Sequence, residues 1–280
     1  MGRLTQRRRV LRVTRSDDGA ASRQRGDVLA AEEPLELRMR GESFTVTMRT
    51  PGHDFELSAG FLVSEGILVR PEQLLALRYC AGTDEAGNQT YNVVEADLDP
   101  AAAALAVRAR RQVMTTSACG ICGTTSIDAV EKSLPHPSGA PQLQMDVRTL
   151  LEMPDRLRAG QQLFDKTGGV HAAGLFSAEG ELLCVREDVG RHNAVDKVVG
   201  RSFLDGDLPL AGTALQVSGR ASFELVQKAA MAGIELLSAV GAPSSLAADL
   251  ADTAGITLAG FSRGKSVNVY THPGRIMGLT

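Results

Sequence analysis

Arg186-Glu187-Asp188-Val189-Gly190-Arg191-His192-Asn193-Ala194-Val195-Asp196-Lys197 packs eight polar or charged groups into twelve positions, and its reading decides the fold. The residues before it, Glu181 to Arg186, read as a strand. From Arg191 to Phe203 the apolar residues recur at helical spacing. A strand that turns through Val189-Gly190 into a helix is the repeating unit of a sheet flanked by helices, and the ends of such strands are where open α/β sheets bind ligands. The plainer alternative is a solvated helix start, capped by Asp188 and enriched in ion pairs.

The same alternation extends to either side. Upstream, a helix is predicted at Thr149–Phe164, then Thr167-Gly168-Gly169-Val170-His171, then a strand at Ala172–Ser177 turning at Ala178-Glu179-Gly180. Downstream come a strand at Ala214–Ser218, a long helix at Ser222–Val240, a helix at Ser244–Ala254 and strands at Ile256–Phe261 and Val267–Thr271. Together these predict an α/β fold with a mainly parallel or mixed sheet and helices on its faces, over residues 141–280. The Pro/Gly/Ser-rich Pro135–Pro141 segment is the candidate joint.

Residues 34–140 read as a smaller α+β unit. Leu35-Glu36-Leu37-Arg38-Met39 and Phe44-Thr45-Val46-Thr47-Met48 alternate about Arg40-Gly41-Glu42 as a hairpin. A helix follows with Asp54 as candidate N-cap and Gly66 near its end. Leu75–Cys80 and Tyr91–Ala96 read as β, while Ala101–Arg111 suits helix or strand equally. Residues 1–33, with Arg3, Arg7, Arg8, Arg9, Arg12 and Arg15, are expected to be a solvated, disordered tail; the triplet at 7–9 lacks the apolar run of an export signal.

Composition narrows the classes further. Hydrophobic content of 43% and charged content of 22% are those of a globular chain, and a net charge of −3 argues against a general nucleic-acid surface. No apolar run approaches the roughly 18 residues of a membrane span. Four cysteines are too few for a disulfide scaffold and fit a reducing compartment.

Two of those cysteines lie in Thr115-Thr116-Ser117-Ala118-Cys119-Gly120-Ile121-Cys122-Gly123-Thr124-Thr125-Ser126. The spacing suits a disulfide, a zinc half-site or a reactive thiol pair. Zinc needs two further ligands, and Cys80 and Cys184 sit alone in predicted strands, where buried apolar cysteine is the ordinary reading; a four-thiolate site from all four stays an alternative. A thioredoxin-like pair needs a strand leading in, whereas Met114 to Ala118 is loop-like. Glycines on both sides instead suit thiols on a mobile arm, more easily ionised ahead of the helix predicted at Ser126–Leu134.

Gly260-Phe261-Ser262-Arg263-Gly264-Lys265-Ser266 nearly matches a phosphate loop, but Ala259 stands at its first glycine, and Val267-Asn268-Val269-Tyr270 alternates as a strand where a helix should open. A nucleotidase is thereby excluded. Ser262, Arg263, Gly264 and Lys265 still offer charge and amides to a phosphate, or else form a basic β-turn. His171, and Ser218-Gly219-Arg220 after a strand, either line a ligand pocket or close turns. Cytidine-type deamination needs a His-x-Glu and a Pro-Cys-x-x-Cys; the first is missing and Ala118 replaces the proline.

In combination, Ser117-Ala-Cys-Gly-Ile-Cys-Gly123, Arg186 to Lys197, the 260–266 segment, Thr50-Pro-Gly-His-Asp-Phe-Glu-Leu57 and Gly60-Phe-Leu-Val-Ser-Glu-Gly-Ile67 resemble the FdhD/NarQ family of formate dehydrogenase accessory sulfurtransferases, from about Leu35 to Thr271. The resemblance implies a cytidine deaminase-like C-terminal domain without that enzyme's zinc site, and a cytoplasmic homodimer with no metal of its own. It further implies that a cysteine desulfurase loads sulfur as a persulfide and that the sulfur passes to the molybdenum or tungsten bis(molybdopterin guanine dinucleotide) cofactor before insertion into formate dehydrogenase. By the same resemblance Cys119 bears the persulfide with Cys122 as partner, and Phe261, Ser262, Arg263, Gly264, Lys265 and Ser266 bind the guanine dinucleotide. Arg191, His192 and Arg220 are further candidates, as donors to a large anion. The alternatives are a cofactor-binding chaperone that transfers no sulfur and a zinc or redox Cys-x-x-Cys protein.

Overall fold

The computed structural model describes residues 4–16, 19–80, 82, 91–116 and 142–279; the Cys119/Cys122 loop, the helix expected at Ser126–Leu134 and the Pro135–Pro141 linker lie outside them. The chain opens with an antiparallel ribbon, β1 (Thr5–Ser16) and β2 (Gly19–Ala30), in continuous register from Thr5↔Ala30 to Ser16↔Gly19. This corrects the disordered tail expected for residues 1–33. Strand alternation is legible only when one face is buried, and here arginines occupy both faces of a ribbon that is exposed along most of its length.

The predicted hairpin is present as β3 (Glu33–Met39) and β4 (Glu42–Arg49), burying Leu35, Leu37 and Phe44. It is followed by α1 (Asp54–Ser64), β5 (Leu74–Tyr79), β6 (Val93–Leu98) and α2 (Pro100–Thr116). The four strands form one sheet in the order β4-β3-β6-β5, with β3 and β6 parallel. The ambiguous alanine run is helical, as alanine's propensity favours, with Ala102 and Ala106 buried one turn apart. Asp54 does not cap α1. His53 occupies the N-cap position, at φ 56° and without a side-chain capping bond, while the buried Asp54 carboxylate accepts from Arg49 Nε at 3.0 Å and Nη2 at 3.1 Å.

After β7 (Met145–Asp146), the single helix expected at Thr149–Phe164 is two, α3 (Val147–Gly160) and α4 (Gln162–Thr167). Glu187 accounts for the break: its carboxylate accepts from Leu163 N at 2.7 Å and Phe164 N at 2.8 Å, satisfying the start of α4. Next come β8 (His171–Phe176), β9 (Leu182–Asp188), α5 (Arg191–Asp205), β10 (Ala214–Val217), α6 (Phe223–Met231) and β11 (Leu236–Ala239). The chain ends through α7 (Ser245–Thr253), β12 (Thr257–Arg263), β13 (Ser266–Val269) and β14 (Ile276–Met277). The long helix expected at Ser222–Val240 therefore stops at Met231, and Gly233, at φ 77°, turns the chain into β11. Leu236-Leu237-Ser238-Ala239 is wholly buried between helical layers, so it carries no strand alternation to read.

The main sheet runs β13-β12-β11-β10-β8-β9, parallel through β10, β11 and β12 and antiparallel elsewhere, so the expected α/β class with a mixed, helix-flanked sheet holds. On one face α3 buries Leu150, Met153 and Leu157 against Phe176 and Leu236. Each such side chain contributes about 1.5–3 kcal/mol of transfer free energy. On the other face a larger cluster joins Val198, Leu215, Leu237 and Leu258 to Leu35 and Leu62 of the N-terminal unit. There α1 crosses α5 with backbones almost touching at Gly60 and Gly200. Among the described residues no helix is long and apolar enough to cross a membrane.

Candidate functional site

One edge of the main sheet gathers the loops that carry most of the predicted site. Antiparallel pairing sets His171 opposite Asp188 and Ala173 opposite Val217, so the start of β8 lies beside the ends of β9 and β10. Ser218 is tied back to β8: its amide donates to Ala172 O at 2.9 Å and its Oγ accepts from Ala172 N at 2.8 Å. Gly241 N then donates to Gly219 O at 2.9 Å, and Phe261 N to Gly241 O at 3.0 Å. The segments after β10 and β11 and the distorted end of β12 are thus stitched into one rim, at the strand ends where such sheets bind ligands.

The Arg186–Lys197 stretch divides into two roles. Its carboxylates and amides are internal: Asp188, 0% exposed, pairs with Lys197 Nζ at 2.7 Å and accepts from Thr50 N at 3.1 Å, Gly190 N at 2.8 Å and Asn193 Nδ2 at 3.1 Å. Lys197 Nζ also donates to Thr50 O at 2.9 Å, and Asp196 receives Lys228 Nζ at 2.8 Å and Ser64 Oγ at 2.7 Å. The junction is therefore a buried lock between the two halves of the chain, not a solvated helix start capped by Asp188; the N-cap of α5 is Gly190.

Arg186 is also structural, donating to Glu56 from Nε at 2.5 Å and from Nη2 at 2.8 Å. Burial pushes the Glu56 carboxyl up, but the hydrogen bonds and charges of Arg186 and His53 outweigh it and hold the group at about 2, against an ordinary 4.5. Because the folded state binds this proton less readily than the unfolded chain, the pair stabilises fully above about pH 4.5 and is lost as pH falls towards 2. Acid denaturation of Glu56→Gln should accordingly show a weaker stability slope in that window than the parent; an unchanged slope would refute the assignment.

Arg191 and His192 are the outward members, and the structure separates them. Arg191 is half-buried at the first turn of α5, and its Nε is buried with no hydrogen-bond partner among the described residues. His192 lines a different cavity of about 220 Å³ between the β3–β4 hairpin and α5–α6. Its Nε2 lies 2.6 Å from Glu224 Oε2, a hydrogen bond that holds the Glu224 carboxyl below its ordinary range.

The 260–266 segment is a hairpin, as its sequence suggests, and not a phosphate loop entering a helix. Phe261 sits on its bulge at φ 53°, a conformation costly for a bulky side chain, and is 38% exposed. Ser262 is buried, its Oγ unpartnered among the described residues. Arg263, Gly264, Lys265 and Ser266 are exposed, with the Arg263 guanidinium 6.0 Å from the Phe261 ring. Arg263 and Gly264 border a cleft of about 510 Å³ whose walls include His171, Ser218, Arg158 and Phe164. Arg220 is exposed on the same rim, its Cγ so close to Gly241 that a Cβ there would sit 2.8 Å away. Cys119 and Cys122 lie outside the described residues.

His171 and Ser218, which the sequence leaves open as pocket-lining or turn residues, line this cleft, and Arg158 is a member that sequence reasoning did not select. His171 follows a glycine pair, an equivocal signal; burial, then the nearby Arg191 and His192 charges, push its imidazole below the ordinary range. Arg158 is hidden by helical context, engaged with Asp165 at 2.6 Å and stacked 4.9 Å from Phe164. Of the other thiols, Cys80 and Cys184 are both free and half-buried, and burial raises Cys184.

A family model described as FdhD/NarQ matches residues 30–277. The chain belongs to the FdhD/NarQ family. Among its relatives, the sulfur carrier protein FdhD of Streptomyces coelicolor is 54% identical over 277 residues, covering 99% of this chain and 97% of that one. The sulfur carrier protein FdhD of Mycobacterium tuberculosis is 50% identical over 279 residues, covering 99% and 100%. The crystal structure of a proposed formate dehydrogenase accessory protein from Desulfotalea psychrophila superposes with a TM-score of 0.73 at 24% identity, over 97% of this chain and 99% of that one, and so shares the FdhD/NarQ chain's fold.

Proposed function

We propose that this chain is a sulfur carrier serving a formate dehydrogenase. It acts as a sulfurtransferase in the cytoplasm: a cysteine desulfurase loads Cys119, with Cys122 as its partner, and the sulfur passes to the molybdenum or tungsten bis(molybdopterin guanine dinucleotide) before insertion into the client. The relatives named sulfur carriers, matched at about half identity over nearly the whole chain, support the sulfur chemistry. In the loading step the cysteine thiolate attacks the terminal sulfur of the donor persulfide; one S–S bond forms, one breaks, and the donor leaves as a thiolate without net oxidation.

The observation that carries the cargo side is the rim itself, where Arg220 and Arg263 are exposed, Arg263 borders the cleft, and the buried Ser262 Oγ beside it has no hydrogen-bond partner among the described residues. Unpaired buried donors cost free energy that a ligand's acceptors restore, and a guanidinium donates best to phosphate oxygens. In this reading Arg263 and Arg220 are the charged donors to the diphosphate of a guanine dinucleotide, and Ser262 Oγ is a neutral one. No metal ligand set is required of the chain itself for this role.

Calorimetric titration with guanosine diphosphate tests the cargo site. Arg263→Ala and Arg220→Ala should each weaken binding about ten- to a hundredfold, the loss expected for one charge-assisted hydrogen bond. Equal affinity for parent and both variants would overturn the assignment.

A further inference from the structure

His192, a candidate donor to an anionic cargo by sequence, faces instead a cavity that shares no lining residue with the cleft. Its volume is about 220 Å³, and β3, β4, α1, α5 and α6 all contribute to its walls. An engineered cavity of about 150 Å³ already admits benzene, so this one has room for a ring with a short side group. Leu35, Leu37, Leu57 and Phe61 give it an apolar bed, and Glu65, Glu224 and Lys228 bring charges to it. An apolar space with a few converging polar groups is the usual form of a small-molecule site.

The charges on its walls do not balance. Lys228 Nζ lies 2.8 Å from each oxygen of Asp196 and 5.8 Å from the centre of the Phe61 ring. His192 Nε2 lies 2.6 Å from Glu224 Oε2. Those two acids are matched. The third, the half-buried Glu65, has no hydrogen bond or salt bridge to its carboxyl among the described residues. Burial pushes that carboxyl above its ordinary range, and Asp196 and Glu224 add to the push against the pull of Lys228. A carboxylate so placed is costly until a cation joins it. Glu65 also closes α1, whose last turn carries no basic residue, so the negative end of that helix adds to the demand. Among the described residues no three carboxyl, imidazole or thiol groups are placed to hold a metal ion, so the cation that fits is an organic one.

We propose that this cavity binds a small primary amine, with its ammonium donating to Glu65 and its apolar body lying on Leu35, Leu37, Leu57 and Phe61. The ammonium has three donors, and Glu224 and Gln227 on the same wall offer further acceptors. An anionic ligand meets three acids here, which sets this site apart from the arginine-bearing rim of the cleft. The amine site goes beyond the sulfur-carrier reading and does not rest on it.

Three probes that share one body test the site: benzylammonium, benzyl alcohol and benzoate, each titrated into the full chain and followed by nuclear magnetic resonance. Benzylammonium should bind at least about tenfold more tightly than benzyl alcohol, the weight of one charge-assisted hydrogen bond, and benzoate more weakly than either. Glu65→Gln should remove the preference for the cation while benzyl alcohol still binds, an outcome that loss of the fold could not give. Glu65→Asp, which keeps the charge, should retain most of the preference. Benzylammonium bound no better than benzyl alcohol by the parent overturns the proposal, as does an equal preference in the parent and Glu65→Gln. So does complete displacement of benzylammonium by potassium chloride with benzyl alcohol unaffected, since the occupant is then an inorganic cation.

Discussion

Gly60→Ala should cost on the order of 3–5 kcal/mol of folding stability, at the upper end for a single methyl group. A Cβ at Gly60 would lie 1.8 Å from Asp196 O and 2.6 Å from Asp196 C, and one at Gly200 would lie 1.7 Å from Glu56 O. The obstacle in both cases is backbone of the opposing helix, which cannot move by changing a rotamer. The crossing of α1 over α5 must therefore widen, and it carries with it Asp196, Lys228 and the cluster containing Leu62, Val198 and Val199. Gly274→Ala is the matched control: a Cβ there meets nothing within 4 Å. Urea denaturation of the two variants should separate them by several kcal/mol. A Gly60→Ala midpoint equal to that of Gly274→Ala would show that the helices are not held at this distance.

Asp188→Ala should cost a similar amount, about 3–5 kcal/mol, because it strands a buried cation. Lys197 is 1% exposed, and without Asp188 its ammonium keeps, among the described residues, only Thr50 O at 2.9 Å, while Thr50 N and Gly190 N lose this acceptor and Asn193 Nδ2 is left with Met48 O. Replacing both charges, as Asp188→Asn/Lys197→Met, should recover part of the loss, since no ion is left unpaired. The consequence reaches the cleft, whose wall includes Val189, next to Asp188, and His171, paired opposite it. Asp188 fixes the turn through Val189 and Gly190 and lies opposite His171, so Asp188→Ala should weaken guanosine diphosphate binding although its carboxylate is buried. Thermal unfolding of the single and double variants measures the coupling. Strictly additive losses would refute a buried pair, and an unaltered nucleotide affinity would refute its positioning role.

What was legible in the sequence depended on whether burial left a period behind. Leu35, Leu37 and Phe44 alternate because β3 and β4 bury one face, and Leu150, Met153 and Leu157 recur because α3 buries one stripe. β11 buries both faces, so Leu236–Ala239 merged with the preceding helix; β1 and β2 bury almost nothing, so their strands looked like a charged tail. The site shows the same division. Arg263 and Gly264 were read from a near-match to a phosphate loop and do border the cleft. Asp188, Asn193 and Lys197 looked like a functional cluster, yet most of their polarity is spent inside the protein, a distinction that depends on Thr50 and Met48, which lie well over a hundred residues away in sequence. His171 joins Ser218 and Arg263 only because β8 runs antiparallel to β10, and no local spacing encodes that.

The claim that the chain carries sulfur is tested most directly by mass spectrometry of the peptide spanning Cys119 and Cys122 after incubation with a cysteine desulfurase and cysteine. The peptide should gain the mass of one sulfur atom, reversibly under reducing thiol, and Cys119→Ala should lose both the added sulfur and the activity of a co-expressed formate dehydrogenase. A peptide that stays unmodified, together with full formate dehydrogenase activity in Cys119→Ala, would contradict the account and leave cargo binding without sulfur transfer in its place.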